Sequence, residues 1–104
     1  MYKAVILPAA ALDVKQAADW YNEKKKGLGK RFTKEARNKV KFICTNPETI
    51  SIRYHKTRCI LLDVFPFMIH FSIDEDQKIL IISAVFHTSR NSGNWLMNID
   101  DSVK

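Results

Sequence analysis

The chain has 104 residues, 46% of them hydrophobic, and a formal net charge of +6. That length leaves no room for a second domain of ordinary size, and that apolar share suffices for a compact core, so global disorder is excluded. No apolar run approaches the roughly 20 residues a membrane helix needs, and proline interrupts the opening Met1–Pro8 stretch before a signal peptide's apolar region is complete, so the chain reads as cytoplasmic.

In chain order, the apolar run Tyr2 to Leu7, closed by Pro8, predicts a first strand. From Ala9 the period changes. Ala10, Val14, Ala17, Ala18 and Tyr21 fall on one face of a helix, and Trp20 is expected in the core or between helices. Gly27 and Gly29 interrupt the pattern and predict a tight connection. A second helix follows from about Gly29 to Thr45, with Phe32, Ala36, Val40 and Ile43 as its apolar stripe and Asn46-Pro47 as its stop.

The positive charge is concentrated on this hairpin. Lys24, Lys25, Lys26, Lys30, Arg31, Lys34, Arg37, Lys39 and Lys41 are accompanied by a single acid, Glu35. Such a run suits an anionic partner, whether nucleic acid, a ribosome or an acidic protein, or else it is a solvated helix face.

Ile50 to Tyr54 predicts a short strand, His55-Lys56-Thr57 a turn, and Arg58 to Val64 another strand. Phe67 to Ile73 continues that strand or follows it after a bend at Pro66. Phe65, Phe67, Ile69, Phe71 and Ile73 alternate, so one face carries five large apolar residues, while Met68, His70 and Ser72 face the other way. Lys78 to Phe86 is apolar on both faces, as a covered central strand should be. The order strand, helix, helix, then three or four strands implies an α+β domain with helices on one side of a mostly antiparallel sheet.

The sequence holds no phosphate-cradling glycine loop, no zinc spacing and no nucleophile elbow, so neither cofactor nor metal is expected. Cys44 and Cys59 read as small buried hydrophobes, with a disulfide left open. The chemistry-bearing residues that remain are Arg58, opening one strand, and His87 and Arg90, closing another. Brought to one sheet edge, they could cleave RNA without metal: a base takes the 2′-hydroxyl proton, guanidinium groups steady the phosphorane, and an acid protonates the leaving oxygen. Capping or salt bridging is the structural alternative. Trp95, in a polar tail, either anchors a partner or folds back over the sheet.

Taken together, Ala17-Ala18-Asp19-Trp20-Tyr21, Gly27-Leu28-Gly29-Lys30-Arg31-Phe32, Asn46-Pro47, the strand opening at Arg58, Phe65-Pro66-Phe67-Met68-Ile69-His70-Phe71 and His87-Thr88-Ser89-Arg90 with Trp95 resemble the RelE/ParE superfamily of type II toxin–antitoxin toxins. The resemblance implies a β-α-α-β-β-β fold over residues 1–95, a tail over 96–104, and a cognate antitoxin partner. RelE-like members cleave mRNA on the ribosome, whereas ParE-like members poison DNA gyrase. Arg58, His87 and Arg90 match the family's arginine and His-x-x-Arg positions. The absence of a tyrosine after Tyr54, and of the dense lysines RelE carries before that arginine, places the chain nearer the ParE branch. The expectation is therefore a gyrase-inhibiting toxin. A ribonuclease using Arg58, His87 and Arg90, or a decayed toxin fold serving only as an interaction module, are the alternatives. Lys30, Arg31, Lys34, Arg37 and Trp95 are the candidate partner-binding residues. An acidic amphipathic antitoxin segment would lie between the basic hairpin and the sheet.

Overall fold

Pro8 ends the first strand and opens the first helix, because its fixed φ suits a first helical turn where the missing N–H has no partner to lose. In the computed structural model, which describes residues 1–89, the elements are β1 (Lys3–Ile6), α1 (Pro8–Lys24), α2 (Leu28–Thr45), β2 (Ile52–Tyr54), β3 (Thr57–Leu61), β4 (Phe67–Asp74) and β5 (Ile79–His87). A 3-10 turn at Pro47–Thr49 follows α2. The sheet order is β1-β5-β4-β3-β2, with β1 parallel to β5 and all other pairs antiparallel. This is the expected α+β architecture, two helices on one face of a mostly antiparallel sheet.

The helical connection is set by its two glycines. Gly27 has φ of 88°, in the left-handed region that glycine enters without penalty. Gly29 is a point of backbone contact: its N–H donates to Asn22 Oδ1 at 2.8 Å, and a Cβ there would stand 2.2 Å from the Ala18 carbonyl oxygen. The helices therefore touch at this end.

The core lies between helices and sheet. Ala10 and Ala17 of α1, and Phe32, Ala36 and Ile43 of α2, meet Ile69, Phe71, Leu80, Ile82 and Val85, as the helical stripes imply. Trp20 departs from expectation and is about half exposed, with the Lys24 ammonium 5.0 Å over its ring. It precedes Tyr21 by one residue, about 100° around the helix, so only Tyr21 of the pair reaches the core.

At Pro66 the chain bends rather than continuing. Leu62 N–H donates to Phe67 O, and β3 and β4 become antiparallel neighbours. Phe65 and Phe67 pack edge-on against Phe32 and Tyr21. A bulge interrupts the β4–β5 ladder, where His70 pairs Ala84 but Phe71 pairs Ile82. Ser83 is thus the extra residue, and Asp13 of α1 accepts the Val85 N–H at 3.0 Å beside it.

Candidate functional site

The ladder separates the two residues that the sequence suggested might share one edge. β3 and β5 both run antiparallel to β4, so they point the same way. The start of β3 and the end of β5 consequently fall at opposite ends of the sheet. Arg58 registers with Phe71, and His87 with Phe67, on the far sides of β4. Four residues along the strand and two strand spacings across put their backbones about 16 Å apart. Arg90 and Trp95 lie outside the described residues.

Each residue has a local occupation. Arg58 Nη1 donates to the Ile50 and Glu48 carbonyls and ties β3 to the segment leaving α2. His87 is exposed, with its ring edge-on to Phe67 at 5.2 Å. Its Nδ1 accepts the Ser89 N–H at 3.0 Å and lies 2.8 Å from Ser89 Oγ, so the neutral ring carries its proton on Nε2. The Thr88 N–H donates to Pro66 O, which fixes the strand end beside the bend. A single exposed imidazole without a neighbouring guanidinium among the described residues can shuttle a proton but cannot stabilise a phosphorane.

The basic residues sort onto two sides of α2. Arg31, Lys34, Asn38 and Phe42, with Glu35, Lys39 and Asp63, line a groove of about 530 Å³ between the helix and the β3–β4 loop. Glu35 accepts the Val64 N–H with both carboxylate oxygens at 3.2 Å, and Lys39 pairs with Asp63 at 3.0 Å. Both acids at this groove are thereby engaged, which leaves Arg31 and Lys34 without an ion pair among the described residues. Phe42 adds a half-exposed apolar surface at the far end. Lys30 and Arg37 stand on the outer crest of the helix instead.

The helix-free face holds a polar cluster that periodicity did not reveal. His70 does face away from the helices, yet it is fully buried there. Its Nδ1 is 2.8 Å from Tyr54 Oη and 3.3 Å from Cys59 Sγ, and Phe86 packs edge-on against the ring. Burial pushes the Tyr54 phenol up from 10.0 to about 12 and the Cys59 thiol up from 9.0 to about 11. Both therefore keep their protons at neutral pH, so neither serves as base or nucleophile. The one available signal was Lys78 to Phe86, whose apolar residues on both faces imply a second packed side. Cys44 is buried as anticipated, and both thiols are free.

These two raised values make alkali destabilising. In the folded chain each group holds its proton to higher pH than when unfolded. The resulting stability is fully present below about pH 9 and is lost as pH rises through 11 and then 12. The two shifts together would amount to about 5 kcal/mol at full burial, and solvent reaching these half-buried groups reduces this, so urea unfolding is expected to show a loss on the order of 2 kcal/mol between pH 9 and 12. Tyr54→Phe should remove most of the part above pH 10, and an undiminished drop in that variant would refute the assignment.

Comparison with known proteins follows this geometry. Residues 5–92 match the sequence model described as ParE toxin of type II toxin-antitoxin system, parDE. No curated protein sequence matches. Among solved structures, the chromosomal ParDE TA system from P. aeruginosa aligns with a TM-score of 0.72 at 18% identity, over 84% of this chain and 96% of that one. The intact E. coli RelBE toxin-antitoxin complex aligns at 0.66 and 13% identity, over 86% and 100%. The isolated E. coli RelE toxin aligns at 0.65 and 12%, over 95% and 99%. At such identities these structures establish the fold, while the family match spans most of the sequence: the chain is a ParE-type toxin of a type II toxin–antitoxin system, within the RelE/ParE superfamily.

Proposed function

We propose that the chain acts in the cytoplasm by inhibiting DNA gyrase, and that a cognate antitoxin neutralises it. The observation favouring this reading over RNA cleavage is the separation of Arg58 from His87, with the Arg58 guanidinium committed to backbone carbonyls. An in-line transesterification needs base, acid and charge stabiliser within hydrogen-bond reach of one phosphate, and about 16 Å is several times that reach. The antitoxin contribution is an acidic amphipathic segment in the groove beside α2. Its carboxylates would meet Arg31 and Lys34, and an apolar side chain would meet Phe42. The similar ParDE and RelBE structures are toxin–antitoxin systems, which supports such a partner.

The test pairs two assays on the purified chain. Gyrase supercoiling is expected to stop when the chain is added and to recover with the antitoxin. Primer extension on translated mRNA should show no new ends, and His87→Ala should leave toxicity unchanged. Ribosome-dependent cuts abolished by His87→Ala, with supercoiling unaffected, would replace this reading with ribonuclease action through Arg58, His87 and Arg90.

A further inference from the structure

The outer crest of α2 carries a charge pattern that shares only Lys34 with the groove. Lys30, Lys34, Arg37 and Lys41 recur at intervals of four, three and four residues, the spacing that places side chains in one line along a helix. All four are exposed; Lys30, Lys34 and Lys41 lie across the helix from the buried stripe of Phe32, Ala36 and Ile43, and Arg37 stands nearer its border, beside Ala36 and Val40. Among the described residues none of the four forms an ion pair, and the one acid in this run, Glu35, is turned aside onto Val64. The line spans about 16 Å at 1.5 Å per residue.

We propose that this crest is a docking surface for the phosphate backbone of duplex DNA, adjoining the groove on the flank of the same helix and sharing Lys34 with it. Three considerations select this occupant. Duplex DNA carries one phosphate per about 3.4 Å of helix axis on each strand, so a row of four cations over about 16 Å meets a continuous line of negative charge. The crest offers no apolar residue, and protein interfaces are depleted in lysine and centred on apolar anchors, so an acidic protein would find charge here but nothing to bury. An α-helix about 10–12 Å across fits the roughly 12 Å major groove of B-form DNA, whereas the deep, narrow A-form groove of RNA excludes it. Lysines act as point charges without the planar fork that reads bases, so binding is sequence-independent.

The experiment is fluorescence anisotropy of a 20-base-pair random-sequence DNA duplex titrated with the full chain at several salt concentrations. Four phosphate contacts give a slope of about −3.6 for log affinity against log salt. Lys30→Gln with Lys41→Gln should reduce the slope to about −1.8 and weaken binding about tenfold or more at low salt. Lys15→Gln with Lys56→Gln carries the same net charge from positions off the crest and should leave the slope unchanged. Circular dichroism establishes that both doubles are folded. Equal losses in the two doubles would mean diffuse attraction, and tighter binding to an RNA duplex or to an acidic helical peptide would mean another occupant. Either result overturns the proposal.

Discussion

Gly29→Ala is expected to lower stability by at least about 3 kcal/mol, enough to unfold much of the population of a small domain. In an isolated helix the same change would help, since alanine is about 1 kcal/mol better than glycine there. Here the added methyl would sit 2.2 Å from a backbone oxygen of α1 and 2.7 Å from the Asn22 side chain. Asn22 could swing away, but the Ala18 carbonyl belongs to the α1 helix and moves only if the helices separate. Separation in turn breaks the bond from Gly29 N–H to Asn22 Oδ1 and strips Phe32 of its α1 neighbours. Steric cost therefore exceeds propensity gain. Gly27→Ala, where φ is positive but nothing lies within 4 Å, should cost only about 1–2 kcal/mol. Urea midpoints for the two variants decide the matter, and a Gly29→Ala midpoint at or above wild type would rule out the close contact.

Phe32→Ala is the second large effect, about 3–5 kcal/mol. The ring is fully buried, and its centroid lies 4.9–5.5 Å from Tyr21, Phe65 and Phe67. Two of those partners flank Pro66, so the cavity would open beneath the β3–β4 bend and not only between the helices. Loss of the edge-to-face contacts adds to the area term. The expected signature is a lowered urea midpoint together with earlier proteolytic cutting near Asp63 and Val64. A loss below about 1.5 kcal/mol would mean that the neighbours collapse into the space.

The local chemistry of the chain made much of this fold legible. The α2 stripe of Phe32, Ala36, Val40 and Ile43 packs as its spacing implies, and Asn46-Pro47 ends the helix where the backbone loses its donor. The alternation from Phe67 to Ile73 gives β4 its two faces. Pairing between distant segments was less legible. Arg58 and His87 looked like neighbours because each stands at a strand end. Which ends coincide depends on the tight Phe65-Pro66-Phe67 bend, which makes β3 and β5 run in the same direction. For His70, alternation assigned the side opposite the large apolar residues but not what covers it. Tyr54, Cys59 and Phe86 come from three other parts of the chain to enclose it. Asp13 carries no local signal at all, since its role depends on a bulge in β5.

The parallel pairing of β1 with β5 bears on the order in which the fold closes. Lys3 registers with Ile79, and Leu7 N–H donates to Ile82 O, so β1 has no sheet partner until β5 has been made. The hairpin of α1 and α2 forms from local contacts, and Phe65, Phe67, Ile69 and Phe71 supply part of its floor, which Leu80, Ile82 and Val85 complete. Closure of the sheet therefore waits on these long-range contacts, whose loop-closure cost makes it slower than formation of the helical hairpin. Any surface that joins the helices to β5 or β1 is thus complete only after the two ends of the described chain have met.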